Sequence, residues 1–165
     1  MLYEVTGDIL LTRAQAIVHG VSPNDHFAQG LALSLREQWP AMYKDFRHFT
    51  QLKHPSPGEL CVWAGADGRQ IISLFTQESG SDHGKHPGPA SAQHVGHALK
   101  QLARLAATEK LTSLALPRLA TGVGGMEWKD VRPLIEQHLA PLGIPVILYT
   151  TYAAGRAAEE PKLAA

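Results

Sequence analysis

Residues 114–128, with the sequence LALPRLATGVGGMEW, constrain the fold of this chain more than any other segment. A short apolar run ends at Pro117, a glycine-rich loop covers residues 121–125, and an amphipathic segment begins at Glu127 or Trp128. This order predicts a buried strand, an anion-binding loop and a helix. Glycines let the backbone turn several N–H groups toward one point, and the helix N-terminus adds partial positive charge there. The glycine spacing fits neither the P-loop nor the dinucleotide motif G-x-G-x-x-G.

The rest of the chain alternates strand-like and helix-like segments. Val95, Leu99, Leu102 and Ala106 recur at the 4-3-4 spacing of a buried helical stripe. The late strands are nearly all apolar, which indicates an α/β sandwich with a sheet covered on both faces. In such folds the ligand lies outside the carboxyl ends of the parallel strands. The predicted strands are residues 2–5, 16–20, 59–64, 70–76, 113–117 and 145–149, and the predicted helices are residues 30–39, 42–50, 91–109 and 128–139.

Composition indicates a single globular domain without general affinity for nucleic acid. The 165 residues carry 15 basic and 15 acidic side chains, so the formal net charge is zero. The only cysteine, Cys61, excludes an intramolecular disulfide. No signal peptide and no apolar run of membrane-spanning length is present, so we expect a cytoplasmic protein, and a monomer. The domain is expected over residues 1–152, with a disordered Ala/Glu-rich tail over residues 153–165.

Four motifs occur in an order that resembles the macro domain, a family that binds ADP-ribose. They are Gly7-Asp8-Ile9, residues 19–32 (HGVSPNDHFAQGLA), residues 120–125 (ATGVGG) and residues 148–152 (LYTTY). Within the family, the chain is most similar to the branch of the terminal ADP-ribose–protein glycohydrolase and the DNA ADP-ribosylation antitoxin. The resemblance implies a three-layer α/β/α sandwich with a mixed central sheet.

The resemblance also implies a role for each motif in holding ADP-ribose. Asp8 accepts a hydrogen bond from the adenine amine and the Ile9 backbone N–H donates to a ring nitrogen, which selects adenine over guanine. The second and third motifs hold the diphosphate and the distal ribose, and Tyr149 or Tyr152 flanks the adenine. Taken alone, Asp8 also fits a turn or cap residue, and the tyrosines also fit core or rim aromatics. The implied ligand-binding residues are Asp8, Ile9, Ser22, Asn24, Gln29, Gly30, Leu31, Thr76, Gln77, Thr121, Gly122, Val123, Gly124, Gly125, Met126, Tyr149 and Thr151.

Two positions depart from the glycohydrolase pattern. Gln77 stands where the resemblance implies a catalytic lysine, and Gly124 stands where that glycohydrolase has an acid in the loop. Glutamine forms no Schiff base and is not a cationic acid, so the lysine mechanism does not carry over. Lys85 lies eight residues further on, in a Gly/Pro-rich loop predicted to be mobile over residues 78–89. In that loop, residues 82–86 (DHGKH) fit a solvated segment better than a metal site, and we expect neither a metal nor a cofactor.

His19 and Asp25 are the candidate catalytic residues. A phosphatase branch of the family, acting on ADP-ribose 1″-phosphate, resembles this chain in having a histidine at the end of the second strand. The ordinary pKa of histidine suits proton transfer near neutral pH. Asp25 follows in the loop with Asn24 and His26, where it can position a water molecule. His19 fits equally well a structural histidine at the end of a buried strand.

We therefore expect a protein that binds ADP-ribose, or ADP-ribosylated protein or nucleic acid, and hydrolyses an ADP-ribosyl linkage without the family's lysine. Two alternatives stay open. One is an ADP-ribose 1″-phosphate phosphatase that uses His19. The other is a non-catalytic reader or sponge for ADP-ribose groups.

Overall fold

A six-stranded sheet forms the middle layer of the fold. The structure is a computed structural model and describes residues 1–81 and 87–164. The strands are β1 (Leu2–Gly7), β2 (Ala16–Val21), β3 (Leu60–Ala64), β4 (Gln70–Phe75), β5 (Leu114–Pro117) and β6 (Val146–Tyr152). Their order across the sheet is β1-β6-β5-β2-β4-β3. Only the β3–β4 pair is antiparallel, so the sheet is mixed, as the resemblance implies.

Helices cover both faces of this sheet. They are α1 (Gly30–Gln38), α2 (Pro40–Lys53), α3 (Ala92–Thr108) and α4 (Trp128–Leu139). One face packs against α3 and α4, where Leu99 and Leu102 of the predicted stripe are fully buried. The other face packs against α1 and α2, through Leu35, Met42 and Phe46. The three-layer sandwich is therefore confirmed. Among the described residues, no helix has both the length and the apolar character that a membrane span needs.

Most predicted elements are found within a few residues of their expected ends. The hairpin of β3 and β4 turns at residues 65–68, and Gly68 supplies the left-handed backbone with φ of +86°. α2 is longer than expected at both ends, since it begins at Pro40 rather than at residue 42 and ends at Lys53 rather than at residue 50. Proline at the first position of a helix needs no hydrogen bond for its missing N–H, so it starts the helix at no cost.

The parallel strands place five loops along one edge of the sheet. β1, β2, β4, β5 and β6 run parallel across the sheet, so all five end at this edge. The segments that follow include the motifs at residues 8–9, 22–30 and 118–125. The edge is therefore where the sequence motifs meet.

The C-terminal segment, residues 153–164, contacts the rest of the domain and is called the strap below. It continues from β6 and lies against the sheet face that α1 and α2 cover, where Ala158 and Leu163 pack on the core. Its Glu160 carboxylate is only 2% exposed and accepts hydrogen bonds from Thr12 and Tyr149. Alanines and glutamates gave no apolar pattern from which this docking could be predicted, because it depends on polar partners far away in sequence.

Candidate ligand-binding cleft

Two cavities adjoin at the loop edge of the sheet. The Tyr149 cavity, of about 360 Å³, is lined by Gly7, Asp8, Ile9, Leu10, Gly30, Leu31, Ser34, Pro117, Tyr149 and Tyr152. The glycine-loop cavity, of about 340 Å³, is lined by residues of the β2 loop, by Gln77 and Pro87, and by residues 117–124. Gly30, Leu31 and Pro117 line both cavities, so the two form the ends of one cleft.

Asp8 fixes one wall of the Tyr149 cavity. It caps the short 3-10 helix Ile9–Leu11, where its Oδ1 accepts from the backbone N–H of Leu10 at 3.0 Å. Its Oδ2 accepts from the N–H of Gly155 at 2.9 Å. Asp8 is therefore a cap residue and a cavity residue at once, and the two hydrogen bonds restrict the orientation of its carboxylate.

Tyr149 forms the floor of the same cavity and is 6% exposed. Its hydroxyl donates to Glu160 Oε2 at 2.7 Å. Burial, helped by the nearby charges of Glu160 and Asp8, raises the pKa of Tyr149 well above its ordinary value. The phenol therefore stays protonated and keeps donating, while Tyr152 stands at the open rim with 67% of its surface exposed.

The N-terminus of α1 lies at the junction of the two cavities. Gln29 is the cap residue, but its side chain makes no capping hydrogen bond, and Gly30 adopts a left-handed φ of +62°. The first N–H groups of a helix have no partner within the helix. Without a side-chain cap from Gln29, these donors and the helix dipole favour an anion at the junction.

The glycine loop closes the other cavity with a folded backbone. Ala120 and Gly125 have φ of +63° and +78°, and the Met126 N–H donates to the Ala120 carbonyl at 2.9 Å. Gly122 is exposed, and a Cβ added there meets no atom within 4 Å. Gly124 is buried, and a Cβ there would lie 2.7 Å from the Ala120 carbonyl oxygen. The loop thus presents Gly122 to the cleft and uses Gly124 for its own packing.

His19 faces the glycine-loop cavity from β2 but is only 2% exposed. Its Nε2 lies 2.8 Å from Ser73 Oγ on the neighbouring β4, and its ring contacts Phe27 edge-on at 5.3 Å. Burial lowers the pKa of His19 to about 3. The imidazole is therefore neutral at physiological pH, which supports the structural alternative for this residue over proton donation.

Asp25 is a buried carboxylate at the wall of the glycine-loop cavity, with 7% exposure. Its Oδ1 accepts from the Phe27 N–H at 2.7 Å, and its Oδ2 accepts from the Ser22 N–H at 3.4 Å. Burial raises the pKa of Asp25, although these hydrogen bonds and the charges of His26 and Arg47 act in the opposite direction. Asp25 is thus an ionisable acid of the cleft whose pKa moves toward the range of a general base.

Gln77, for which the resemblance implies a lysine in the glycohydrolases, lines the glycine-loop cavity. It is 5% exposed, and its side-chain amide donates to the Gly88 carbonyl at 3.1 Å. Gln77 also forms an isolated bridge with Ala90, which ties the start of this loop to its end. Lys85 and the rest of residues 82–86 lie outside the described residues.

A sequence profile of the macro domain matches residues 28–135. The chain belongs to the macro domain family. A DNA ADP-ribosyl glycohydrolase of Thermus aquaticus is 28% identical over 153 residues, which cover 90% of this chain and 41% of the relative. The solved macrodomain of Thermus aquaticus DarG has a TM-score of 0.79 at 27% identity, covering 91% of this chain and 98% of that one. Thermosipho africanus DarTG in complex with ADP-ribose has a TM-score of 0.77 at 23% identity, covering 94% and 42%.

This chain spans about two fifths of the length of the DNA ADP-ribosyl glycohydrolases that it matches. The alignment nevertheless covers about nine tenths of this chain. The structural match covers 98% of the Thermus aquaticus DarG macrodomain. The comparisons therefore establish the family and the fold.

Six of the implied ligand-binding residues line neither of the two cavities. Ser22 and Thr76 are fully buried, and Asn24 bonds through its amide to both backbone groups of Gly80. Met126 packs on the core beside α3 and α4. The remaining two are Gly125, which turns the loop, and Thr151, which pairs with Thr6 of β1 and is exposed. A position within a motif therefore does not by itself decide whether a residue lines the cleft.

Arg118 is a cleft residue that the sequence analysis missed. It lines the glycine-loop cavity, is exposed, and its guanidinium lies 5.9 Å from the centre of the Trp128 ring. A cation at this position suits an anionic ligand. The signal was present in the sequence, because an arginine stands directly between a buried strand and a glycine-rich loop.

Proposed function

We propose that the cleft of this macro domain binds ADP-ribose, with adenine in the Tyr149 cavity and the distal ribose in the glycine-loop cavity. The observation that carries this proposal is the junction of the two cavities at Gly30, Leu31 and Pro117. One continuous cleft with an aromatic end and a glycine-loop end suits a ligand with a flat base at one end and a sugar at the other. Thermosipho africanus DarTG, which shares the fold, is known in complex with ADP-ribose, and this supports ADP-ribose as the ligand.

The diphosphate is placed at the junction. The uncapped N-terminus of α1 offers backbone donors on one side, and Arg118 and the backbone of residues 121–124 line the other. A diphosphate carries charge that such donors satisfy without a metal ion. The base end then falls beside Asp8, whose carboxylate accepts from an exocyclic amine.

We further propose that the cleft hydrolyses an ADP-ribosyl linkage, with Asp25 as general base. Asp25 removes a proton from a water molecule, and the water oxygen forms a bond to the anomeric carbon of the distal ribose. The bond from that carbon to the attached group breaks, and the leaving group takes a proton from solvent. Free ADP-ribose is the product, and no lysine takes part, in keeping with Gln77 at the family's lysine position.

Calorimetry with ADP-ribose tests the binding step, and product analysis tests the chemistry. The substrates are ADP-ribosylated protein and ADP-ribosylated DNA, because the relatives named above include DNA ADP-ribosyl glycohydrolases. Asp25→Asn keeps the acceptor for the Phe27 N–H but cannot take up a proton from water. We expect turnover to fall by about two to four orders of magnitude with the Kd for ADP-ribose nearly unchanged. Undiminished turnover in this variant would exclude Asp25 as the base.

A non-catalytic reader is the second candidate function. Gln77 favours it, because the buried glutamine bonds to Gly88 where a reactive lysine is implied for the glycohydrolases. Tight binding of ADP-ribose without release of product from either substrate selects this function. The phosphatase alternative receives no support from His19, which is neutral and bonded to Ser73. Release of inorganic phosphate from ADP-ribose 1″-phosphate is the result that would restore it.

A further inference from the structure

The strap, residues 153–164, touches the same side chains that form the base end of the cleft. It leaves β6 by a hydrogen bond from the Ala153 N–H to the Gly7 carbonyl at 3.1 Å. It then passes so close to β1 that a Cβ added to Gly7 would lie 2.8 Å from the backbone nitrogen of Ala158. The contact is therefore direct, backbone against backbone, and not a loose covering of the surface.

Asp8 is held by the strap through two separate hydrogen bonds. The Gly155 N–H donates to Asp8 Oδ2 at 2.9 Å, and the Asp8 N–H donates to the Arg156 carbonyl at 2.7 Å. Oδ1 of Asp8 is bonded to Leu10, so each carboxylate oxygen has a backbone donor. A carboxylate held on both oxygens presents its remaining lone pairs in fixed directions.

Glu160 holds the second wall. Its carboxylate is 2% exposed and accepts from the Tyr149 hydroxyl at 2.7 Å, from the Arg13 N–H at 2.9 Å and from the Thr12 hydroxyl. Arg13 also approaches it with its guanidinium at 3.7 Å. Hydrogen bonds to a buried charged acceptor are among the stronger ones in proteins. Glu160 therefore connects the phenol of Tyr149 with Thr12 and Arg13, which directly follow the short 3-10 helix that Asp8 caps. This helix and its flanking residues, 8–13, are called the Asp8 segment.

We infer that the strap is part of the base-recognition site and that Glu160 is a positioning residue, which acts through Tyr149 and the Asp8 segment. This inference rests on the proposed binding of ADP-ribose. Asp8 selects a 6-aminopurine only if its carboxylate stays in place beside a base that the Tyr149 ring holds, and the strap supplies hydrogen bonds to both residues. The selectivity for adenine over hypoxanthine therefore depends on a residue that does not line the cavity.

The test compares the Kd of ADP-ribose with the Kd of inosine diphosphate ribose by calorimetry in Glu160→Ala. The inosine analogue places a carbonyl oxygen where adenine has its amine, so it faces the Asp8 carboxylate unfavourably. We expect Glu160→Ala to weaken ADP-ribose binding about tenfold and to weaken the analogue less, so that the ratio of the two Kd values falls. Glu159→Ala, at the exposed neighbouring position, removes the same charge and is expected to leave both values unchanged.

The ratio separates positioning from a purely structural role. Loss of stability alone lowers the folded fraction and affects both ligands equally, so it leaves the ratio unchanged. If Glu160→Ala does not fold, Glu160→Gln takes its place, since it keeps volume and one acceptor; we then expect a smaller fall in the ratio. An unchanged ratio in a folded Glu160 variant overturns the inference while the proposed function stands. Failure of the unmodified protein to bind ADP-ribose overturns both.

Discussion

Gly122 and Gly124 lie two residues apart in the same loop, but only Gly122 has room for a side chain. A Cβ on Gly124 would press against the Ala120 carbonyl and the Ala90 side chain, whereas a Cβ on Gly122 meets nothing within 4 Å. Gly122 also has no left-handed φ, so another residue there adds no backbone strain. A substitution at Gly122 is therefore expected to change ligand binding without disturbing the loop, whereas one at Gly124 disturbs the loop itself.

Gly122→Glu is expected to weaken ADP-ribose binding by about two orders of magnitude. The added carboxylate lies in the loop that lines the diphosphate at the junction of the two cavities, and two like charges a few ångströms apart repel by about 3–4 kcal/mol at an effective dielectric of 20. Gly122→Gln has nearly the same size without the charge and serves as the control in calorimetry. Equal Kd values for the two variants would remove the diphosphate from this part of the cleft.

Single residues of the cleft could be predicted where a motif fixes both position and direction. Asp8, Gly30 and Leu31 follow from contiguous motifs and line the cleft as expected. Ser22 and Thr76 lie in segments that follow β2 and β4, but both are buried and line neither cavity. Successive side chains of an extended backbone point to opposite sides, so such a residue faces the core as often as the cleft. Sequence spacing does not fix the direction of a loop side chain, so this part could not be predicted.

At the scale of elements, apolar periodicity predicted the helices and strands whose side chains pack in the core, but not the segments that other contacts hold. α3 and the buried strands were located because their stripes face the sheet. β1 ends two residues later than expected, at Gly7, and β6 ends three residues later, at Tyr152, because backbone pairing continues after the apolar pattern ends. The contacts of the strap follow no apolar pattern either, because they depend on Glu160 and on small residues.

The crossing of the strap over β1 makes Gly7 sensitive to the smallest substitution. Gly7→Ala places a methyl group 2.8 Å from both the Cβ and the backbone nitrogen of Ala158, so the strap must shift. We expect a loss of about 1–3 kcal/mol in the free energy of unfolding, measured by urea denaturation. Gly122→Ala, where the added Cβ meets no atom, is the matched control. Equal stability of both variants would mean that the strap does not hold this position in solution.

At the scale of the whole molecule, His19 makes folding stability depend on pH. Burial lowers its pKa to about 3 in the folded protein, while an unfolded chain binds this proton near pH 6.5. Between these values the unfolded state binds more protons, so stability falls as pH falls through 6.5 and continues to fall toward pH 3. His19 was expected at the end of the second strand and lies inside β2, two residues before its end. The sequence left a catalytic and a structural role open, because the burial of His19 depends on contacts with Phe27 and Ser73 from other segments.

His19→Gln is expected to abolish this contribution. Its terminal amide offers a donor and an acceptor to Ser73 whichever imidazole tautomer it replaces, and it does not titrate. From pH 7 to pH 5 the unmodified protein should lose about 2 kcal/mol more stability than the variant, as measured by urea denaturation at each pH. All other titrating groups are common to both proteins, so the difference isolates His19. If the two proteins lose the same stability between pH 7 and pH 5, His19 is not a neutral buried residue and its role as a proton donor to the cleft must be reconsidered.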